Sequence, residues 1–74
     1  MSESIVEINI VASSQNELNE KIVQMFHSIE SAIGEDGSYW WHEKPVFYDD
    51  YRSIKGKLAT QPEIIDEFWI QFGK

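Results

Sequence analysis

Apolar and polar residues alternate along the first part of the chain, over residues 4–12. The even positions from Val6 to Ala12 are apolar, whereas Glu7 and Asn9 occupy odd positions between them. Successive side chains of a strand point to opposite faces of the sheet. The alternation therefore predicts a strand with one buried face.

The period changes from two to about 3.6 after Ser14. The run Ser14-Gln15-Asn16-Glu17 matches the Ser-x-x-Glu capping box, in which two side chains satisfy backbone N–H groups at a helix start. The apolar residues that follow recur every three or four positions, as on one face of a helix: Leu18, Ile22, Met25, Ile29 and Ala32. Gly34 suits the position just after a helix end. The pattern predicts a helix over residues 15–33.

The segment 39–51 is rich in aromatic residues and contains six of the ten in the chain: Tyr39, Trp40, Trp41, Phe47, Tyr48 and Tyr51. Aromatic residues favour strands. Because Pro45 cannot donate to a central ladder, the segment is predicted to be an edge strand, a bulged strand or two short strands. Asp49-Asp50 predicts a turn. Neighbouring strand residues face opposite ways, so one of the two adjacent tryptophans is predicted to be exposed.

A second half-buried strand is predicted over residues 51–59, where Ile54 and Leu58 share a face and Gly56 suggests a bulge. The run Thr60-Gln61-Pro62-Glu63 matches a second capping box, and the apolar residues after it predict a second helix. Together these elements predict one compact domain over residues 1–74. Its predicted class is α+β, a two-layer β-α-β-β-α fold with two helices on one face of a short antiparallel or mixed sheet.

The composition of the chain excludes several classes of protein and site. Thirteen acidic and six basic residues give a formal net charge of −7, and the chain has no cysteine. Disulfides and cysteine-ligated metal sites are thereby excluded. No apolar run approaches the ~20 residues of a membrane helix, and the first residues do not read as a secretory signal. We therefore expect a cytoplasmic protein.

Candidate chemistry is sparse. The glycines form no phosphate-binding loop, so no nucleotide cofactor is expected. His42-Glu43 together with Asp49-Asp50 offers an acid/base pair or an oxygen-rich cation site, but the spacing matches no ligand motif and a solvated rim is favoured. No set of nucleophile, base and orienting group can be assembled. The sequence predicts a non-catalytic protein without a metal or cofactor.

Basic residues cluster without an acid among them only at Arg52, Lys55 and Lys57. With the nearby aromatic residues they resemble a stacking platform for single-stranded nucleic acid. The rest of the chain is acidic, however, and would repel the polymer. Direct nucleic-acid binding is therefore disfavoured.

The aromatic segment and the acidic helix are the two features that favour a protein partner. Tyrosine and tryptophan are enriched at binding hot spots, and a row of carboxylates can imitate phosphates. We predict a small acidic binding module, of phage or mobile-element type, that inhibits a host protein by blocking its basic, nucleic-acid-binding surface. The predicted contact residues are Glu17, Glu20, Glu30, Glu35, Asp36, Tyr39, Trp40, Trp41, Tyr48 and Tyr51.

The alternative is a structural or assembly subunit that self-associates through its sheet and its aromatic hairpin. Sedimentation separates these hypotheses, since a strict monomer favours the inhibitor and a stable dimer or higher form favours assembly.

In the order of its predicted elements and its acidic bias, the chain is similar to the DinI-like regulators, which bind the RecA recombinase. This likeness rests on topology, and the predicted C-terminal helix has only Glu63, Asp66 and Glu67 where that family is strongly acidic. No functional residue is carried over from it.

Overall fold

The computed structural model describes residues 3–64, which form three strands and one helix. Strand β1 spans Ser4–Val11, helix α1 spans Gln15–Ile33, β2 spans Ser38–Tyr48 and β3 spans Ser53–Gln61. The strands form one antiparallel sheet in the order β1-β3-β2, so that β3 is the central strand. Helix α1 covers one face of this sheet. We call the opposite face the outer face.

The predicted β-α-β-β-α fold with two helices is wrong, because residues 3–64 form a β-α-β-β arrangement with one helix. Thr60, the predicted cap of the second helix, lies instead in β3, where it pairs with Ser4 on one side and Tyr39 on the other. Pairing on both sides outweighs the local capping pattern. The rest of the predicted helix, residues 65–74, lies outside the described residues. The likeness to the DinI-like regulators required that helix and is not supported by the described fold.

The core lies between α1 and the covered face of the sheet. The buried strand residues are Val6, Ile8, Ile10, Ile54 and Leu58, and the buried helix residues are Leu18, Met25, Ile29 and Ile33. Ile64, just after β3, joins this cluster. The predicted buried face of β1 and the predicted apolar stripe of α1 are both confirmed.

Helix α1 begins and ends at the predicted residues. One capping bond differs from the capping box, because the Glu17 carboxylate accepts from Ser13 and not from Ser14. The Ser14 hydroxyl accepts a hydrogen bond from the Glu17 backbone N–H at 3.1 Å, as in a capping box. The Glu17 carboxylate accepts from the backbone N–H of Ser13 at 2.6 Å and from its hydroxyl at 2.7 Å. These two bonds hold the pKa of Glu17 below its usual value. At the other end Gly34 has a φ of 78°, and its N–H donates to the Glu30 carbonyl at 3.1 Å.

Within residues 3–64, strand β2 is an edge strand and is bulged, which are two of the three possibilities that Pro45 left open. Its register against β3 shifts between Trp41 and Glu43 and again between Glu43 and Val46. Gly56 lies opposite this irregularity, and a Cβ there would come within 3.1 Å of the Pro45 Cα atom. The predicted glycine bulge in β3 is therefore wrong: β3 pairs regularly with β1, and the missing side chain makes room for the bulge in β2.

The Thr60 hydroxyl is buried and has no hydrogen-bond partner within the described part of the chain. An unsatisfied buried polar group costs about 1–3 kcal/mol. We expect Thr60→Val, which keeps the shape and removes the hydroxyl, to raise the free energy of unfolding by about 1 kcal/mol. Urea denaturation of both proteins measures this. Thr60→Ser, which keeps the hydroxyl and loses the methyl group, is the control and should be less stable than wild type. Equal or lower stability of the valine variant would contradict the prediction.

Candidate protein-binding site

The two adjacent tryptophans face opposite sides of the sheet, as predicted. Trp41 lies on the covered face, where its ring meets that of Phe26 edge-on with 6.1 Å between ring centroids. Trp40 lies on the outer face and is 42% exposed. Of these two tryptophans, Trp40 is therefore the one whose side chain is free to contact a partner.

Tyr39 also belongs to the contact between helix and sheet. Its ring lies 5.5 Å from that of Phe26, and its hydroxyl donates to a Glu30 carboxylate oxygen at 2.9 Å. The bond to Glu30 raises the pKa of Tyr39. Three of the predicted contact residues, Tyr39, Trp41 and Glu30, thus fasten β2 to α1.

Three exposed aromatic side chains lie where β2 turns into β3. We call residues Phe47, Tyr48, Asp49, Asp50 and Tyr51 the hairpin tip. Phe47 is 41% exposed, Tyr48 46% and Tyr51 62%. The rings of Phe47 and Tyr51 lie 5.2 Å apart, at a distance typical of a paired aromatic contact. Phe47 and Tyr51 therefore form a joined aromatic surface beside two exposed carboxylates, whereas Tyr48 lies on the outer face of the sheet.

The backbone of the hairpin tip is held in an uncommon conformation. Asp49, Asp50 and Tyr51 all have positive φ angles, of 54°, 55° and 65°. Non-glycine residues rarely adopt this region, and such strain is concentrated at ligand clamps and active sites.

Hydrogen bonds compensate for this strain. The Arg52 backbone N–H donates to the carbonyl of Tyr48 at 3.1 Å, and its side-chain Nε donates to the Asp49 carbonyl at 2.9 Å. The Gln15 side chain donates to the Asp50 carbonyl at 2.8 Å and so ties the tip to the start of α1. A turn fixed in this way loses little conformational entropy when it binds.

The acidic residues predicted as contacts do not form one row. Glu17 is engaged at the helix start, whereas Glu30 contacts Tyr39. Because a helix turns about 100° per residue, Glu17 and Glu30 point about 140° apart around the axis. Glu20 is exposed on α1, and Glu35 and Asp36 are exposed in the turn after it. That turn lies about 28 Å from the start of α1, so the structure separates these two carboxylates from the hairpin tip.

The basic cluster is engaged with neighbouring groups. Lys57 pairs with Glu43 at 3.5 Å, and the Lys55 ammonium lies 5.6 Å from the centre of the Tyr48 ring. Arg52 holds the hairpin tip. All three cations therefore have a structural contact within the hairpin.

The residues considered for acid/base or cation chemistry are dispersed. Glu43 pairs with Lys57 in the bulged part of β2, and the two aspartates of the tip follow the end of that strand. No three histidine, aspartate or glutamate side chains among residues 3–64 are grouped as a cation site requires. In the same range, no helix has the length and apolar character needed to cross a membrane.

Sequence reasoning missed Phe47 and the two aspartates as members of a binding surface. Phe47 pairs with Ile54 on the covered face, yet it stays exposed. The signal that could have revealed the surface is the run Phe47-Tyr48-Asp49-Asp50-Tyr51, in which aromatic residues flank a polar turn.

Comparison of the chain with protein-family models, with curated proteins and with solved structures finds no significant match.

Proposed function

We propose that this protein is a small non-catalytic binding module and that the hairpin tip enters its protein partner. The observation that carries the proposal is the exposure of three aromatic rings on a hydrogen-bonded turn. Aromatic side chains dominate binding energy when a partner encloses them. Exposed apolar patches of this kind mark interaction sites on small domains.

The charges around the tip indicate the chemistry of the partner. Asp49 and Asp50 are exposed beside the rings, and the chain carries a net charge of −7. A complementary surface has an apolar pocket with lysine or arginine side chains at its rim. Exposed carboxylates elsewhere, such as those of Glu20, Glu35 and Asp36, add long-range attraction that speeds the encounter.

Occupation of such a surface has an inhibitory consequence. If the partner uses its basic rim to bind nucleic acid, the tip and the nucleic acid compete for the same cations. The proposed role is therefore inhibition of that partner. The proposed location is the cytoplasm. Trp40 is a second anchor on the outer face of the same hairpin, 42% exposed.

The test compares tip variants with a matched variant elsewhere. Tyr51→Ala and Phe47→Ala remove exposed rings of the tip, whereas Val23→Ala trims an apolar side chain of α1 that is 53% exposed. Each protein is immobilised and exposed to a lysate of the source organism, and the proteins that it retains are quantified by mass spectrometry. We expect wild type and Val23→Ala to retain the same basic protein. Loss of one hot-spot ring costs at least about 2 kcal/mol, so both tip variants should retain about 30-fold less.

The role of charge is tested on the purified complex. Asp50→Asn preserves the left-handed backbone, which asparagine tolerates, and removes one carboxylate. We expect slower association and a weaker salt dependence than in wild type. Equal retention by wild type and both ring variants would overturn the proposed role of the tip. Salt-independent binding would contradict the proposed basic rim of the partner, and only the aromatic part of the proposed contact would then stand.

A further inference from the structure

Strand β1 has an open edge among the described residues. The Ala12 N–H donates at 2.8 Å to the carbonyl of Arg52, the residue opposite it when the ladder register is continued by one pair. In an antiparallel pair, such hydrogen-bonded positions alternate with positions whose backbone groups point away. The even residues of β1 therefore bond to β3, and the odd residues point their N–H and C=O groups outward: Ile5, Glu7, Asn9 and Val11. The Lys21 ammonium, which donates to the outward carbonyl of Val11 at 2.9 Å, agrees with this assignment.

This edge differs from the other edge of the sheet. Strand β2 is interrupted by two register shifts and contains Pro45, features that blunt an edge against further pairing. Strand β1 pairs without interruption over eight residues and contains no proline. A groove of about 360 Å³ runs beside it, lined by Asn9, Ile10, Val11, Lys21 and Gln24. Among residues 3–64, the edge of β1 is thus regular and is not covered by another strand.

We infer that β1 pairs antiparallel with β1 of a second copy and joins two sheets into one of six strands. The register places Ile8 opposite itself on a two-fold axis. Glu7 then lies opposite Asn9 of the other copy, and Ile5 lies opposite Val11. The four outward-pointing residues of each copy form hydrogen-bonded pairs, which gives about eight backbone hydrogen bonds. In two of these bonds the accepting Val11 carbonyl also accepts from Lys21 of its own copy.

The side chains select a second copy as the occupant and also select this register. Ile5 and Val11 are 42% and 64% exposed on the outer face, and the pairing covers each with the other. A shift by two residues in one direction puts Glu7 opposite Glu7, which is destabilising. A shift in the other direction puts Glu7 opposite Val11. Of these three registers, the one centred on Ile8 pairs apolar with apolar and separates the carboxylates.

The pairing leaves the proposed binding site free. Strand β2 becomes the terminal strand at both ends of the joined sheet, so Phe47 and Tyr48 in β2 are separated from the dimer axis by β3 and β1. A dimer through β1 is therefore compatible with the proposed binding role, and sedimentation alone would then no longer separate that role from assembly. A dimer of this kind presents two tips, which raises the apparent affinity for a repetitive partner.

The first test is sedimentation equilibrium of the full chain with variants of Asn9. Wild type is expected to reach twice its mass of 8.7 kDa as concentration rises. Asn9→Lys puts a cation opposite Glu7 in two symmetric pairs and should tighten the dimer about 2- to 30-fold. Asn9→Asp puts like charges together and should weaken it by a similar factor. A monomer at all concentrations overturns the inference, and so does a lysine variant that dimerises more weakly than wild type.

The second test measures the register by disulfide trapping, which the absence of native cysteine makes specific. Glu7→Cys and Asn9→Cys proteins are mixed in a glutathione buffer. Directly opposed Cα atoms lie about 5.5 Å apart, within the range for a disulfide, whereas the substituted positions of two Glu7→Cys copies would be diagonal and about 7–8 Å apart. Mixed disulfides should therefore exceed both homodimers. A statistical mixture, or an excess of either homodimer, overturns the register, and circular dichroism verifies that each variant is folded.

Discussion

Replacing Leu58 by alanine is expected to remove most of the stability of the domain. Leu58 lies in the central strand between Val6 and Trp41, and its side chain is fully buried. Truncating a buried leucine to alanine costs about 2–5 kcal/mol, because transfer energy is lost and a cavity remains. A domain of this size has a core worth about 3–5 kcal/mol. The variant should therefore be largely unfolded under conditions in which wild type is folded.

Urea denaturation followed by far-UV circular dichroism measures this loss. Leu58→Met conserves volume and should cost less than about 1.5 kcal/mol. Val23→Ala removes methyl groups from an exposed helix position and should stay within about 0.5 kcal/mol of wild type. A loss below about 1 kcal/mol for Leu58→Ala would contradict the central position of this residue in the core.

Replacing Gly37 by alanine is expected to have the second-largest effect. Gly37 lies in the turn between α1 and β2, where its N–H donates to the Gly34 carbonyl at 3.3 Å. A Cβ atom at this position would lie 2.7 Å from the Ile33 carbonyl oxygen and 2.6 Å from its Cγ1 atom. Ile33 is the last residue of α1 and belongs to the core. The added methyl group therefore pushes both the helix end and a buried side chain.

Overpacking of this kind costs about 1–3 kcal/mol. The measurement is again the free energy of unfolding in urea, with Asp36→Ala as the control because Asp36 is exposed in the same turn. The control should change stability by less than about 0.5 kcal/mol. Equal effects of the two substitutions would show that the turn relaxes without cost and would contradict the close contact with Ile33.

Local sequence patterns correctly predicted the elements that have one continuous buried face, β1 and α1. The alternation in β1 and the stripe of α1 each reflect a single buried face, so the bounds of α1 match the prediction. The pattern at Thr60 misled because capping residues and β-branched strand residues overlap in type. Pairing of Thr60 with Ser4, which is distant in sequence, decided the outcome. No local window contains that information.

In the candidate site, too, the features set by neighbouring residues were predicted, and the contacts between distant elements were not. The turn at Asp49-Asp50 and the opposite facing of Trp40 and Trp41 follow from residue type and the two-residue period of a strand. The engagement of Tyr39 and Trp41 with Phe26 could not be predicted, because it depends on how α1 lies across the sheet. For the same reason, the exposure of Phe47 could not be predicted, because it depends on how much of the covered face α1 covers.

From the strand order we also expect a particular sequence of events in folding. Helix α1 and the β2–β3 hairpin join residues that are near one another in the chain, so they can form early. Strand β1 has no sheet partner among the described residues until β3 exists, since Ser4 pairs with Thr60. During synthesis β1 should therefore form its sheet pairing only after the central strand β3 has left the ribosome. Closing this long loop should limit the folding rate, and β1 stays unpaired until it closes.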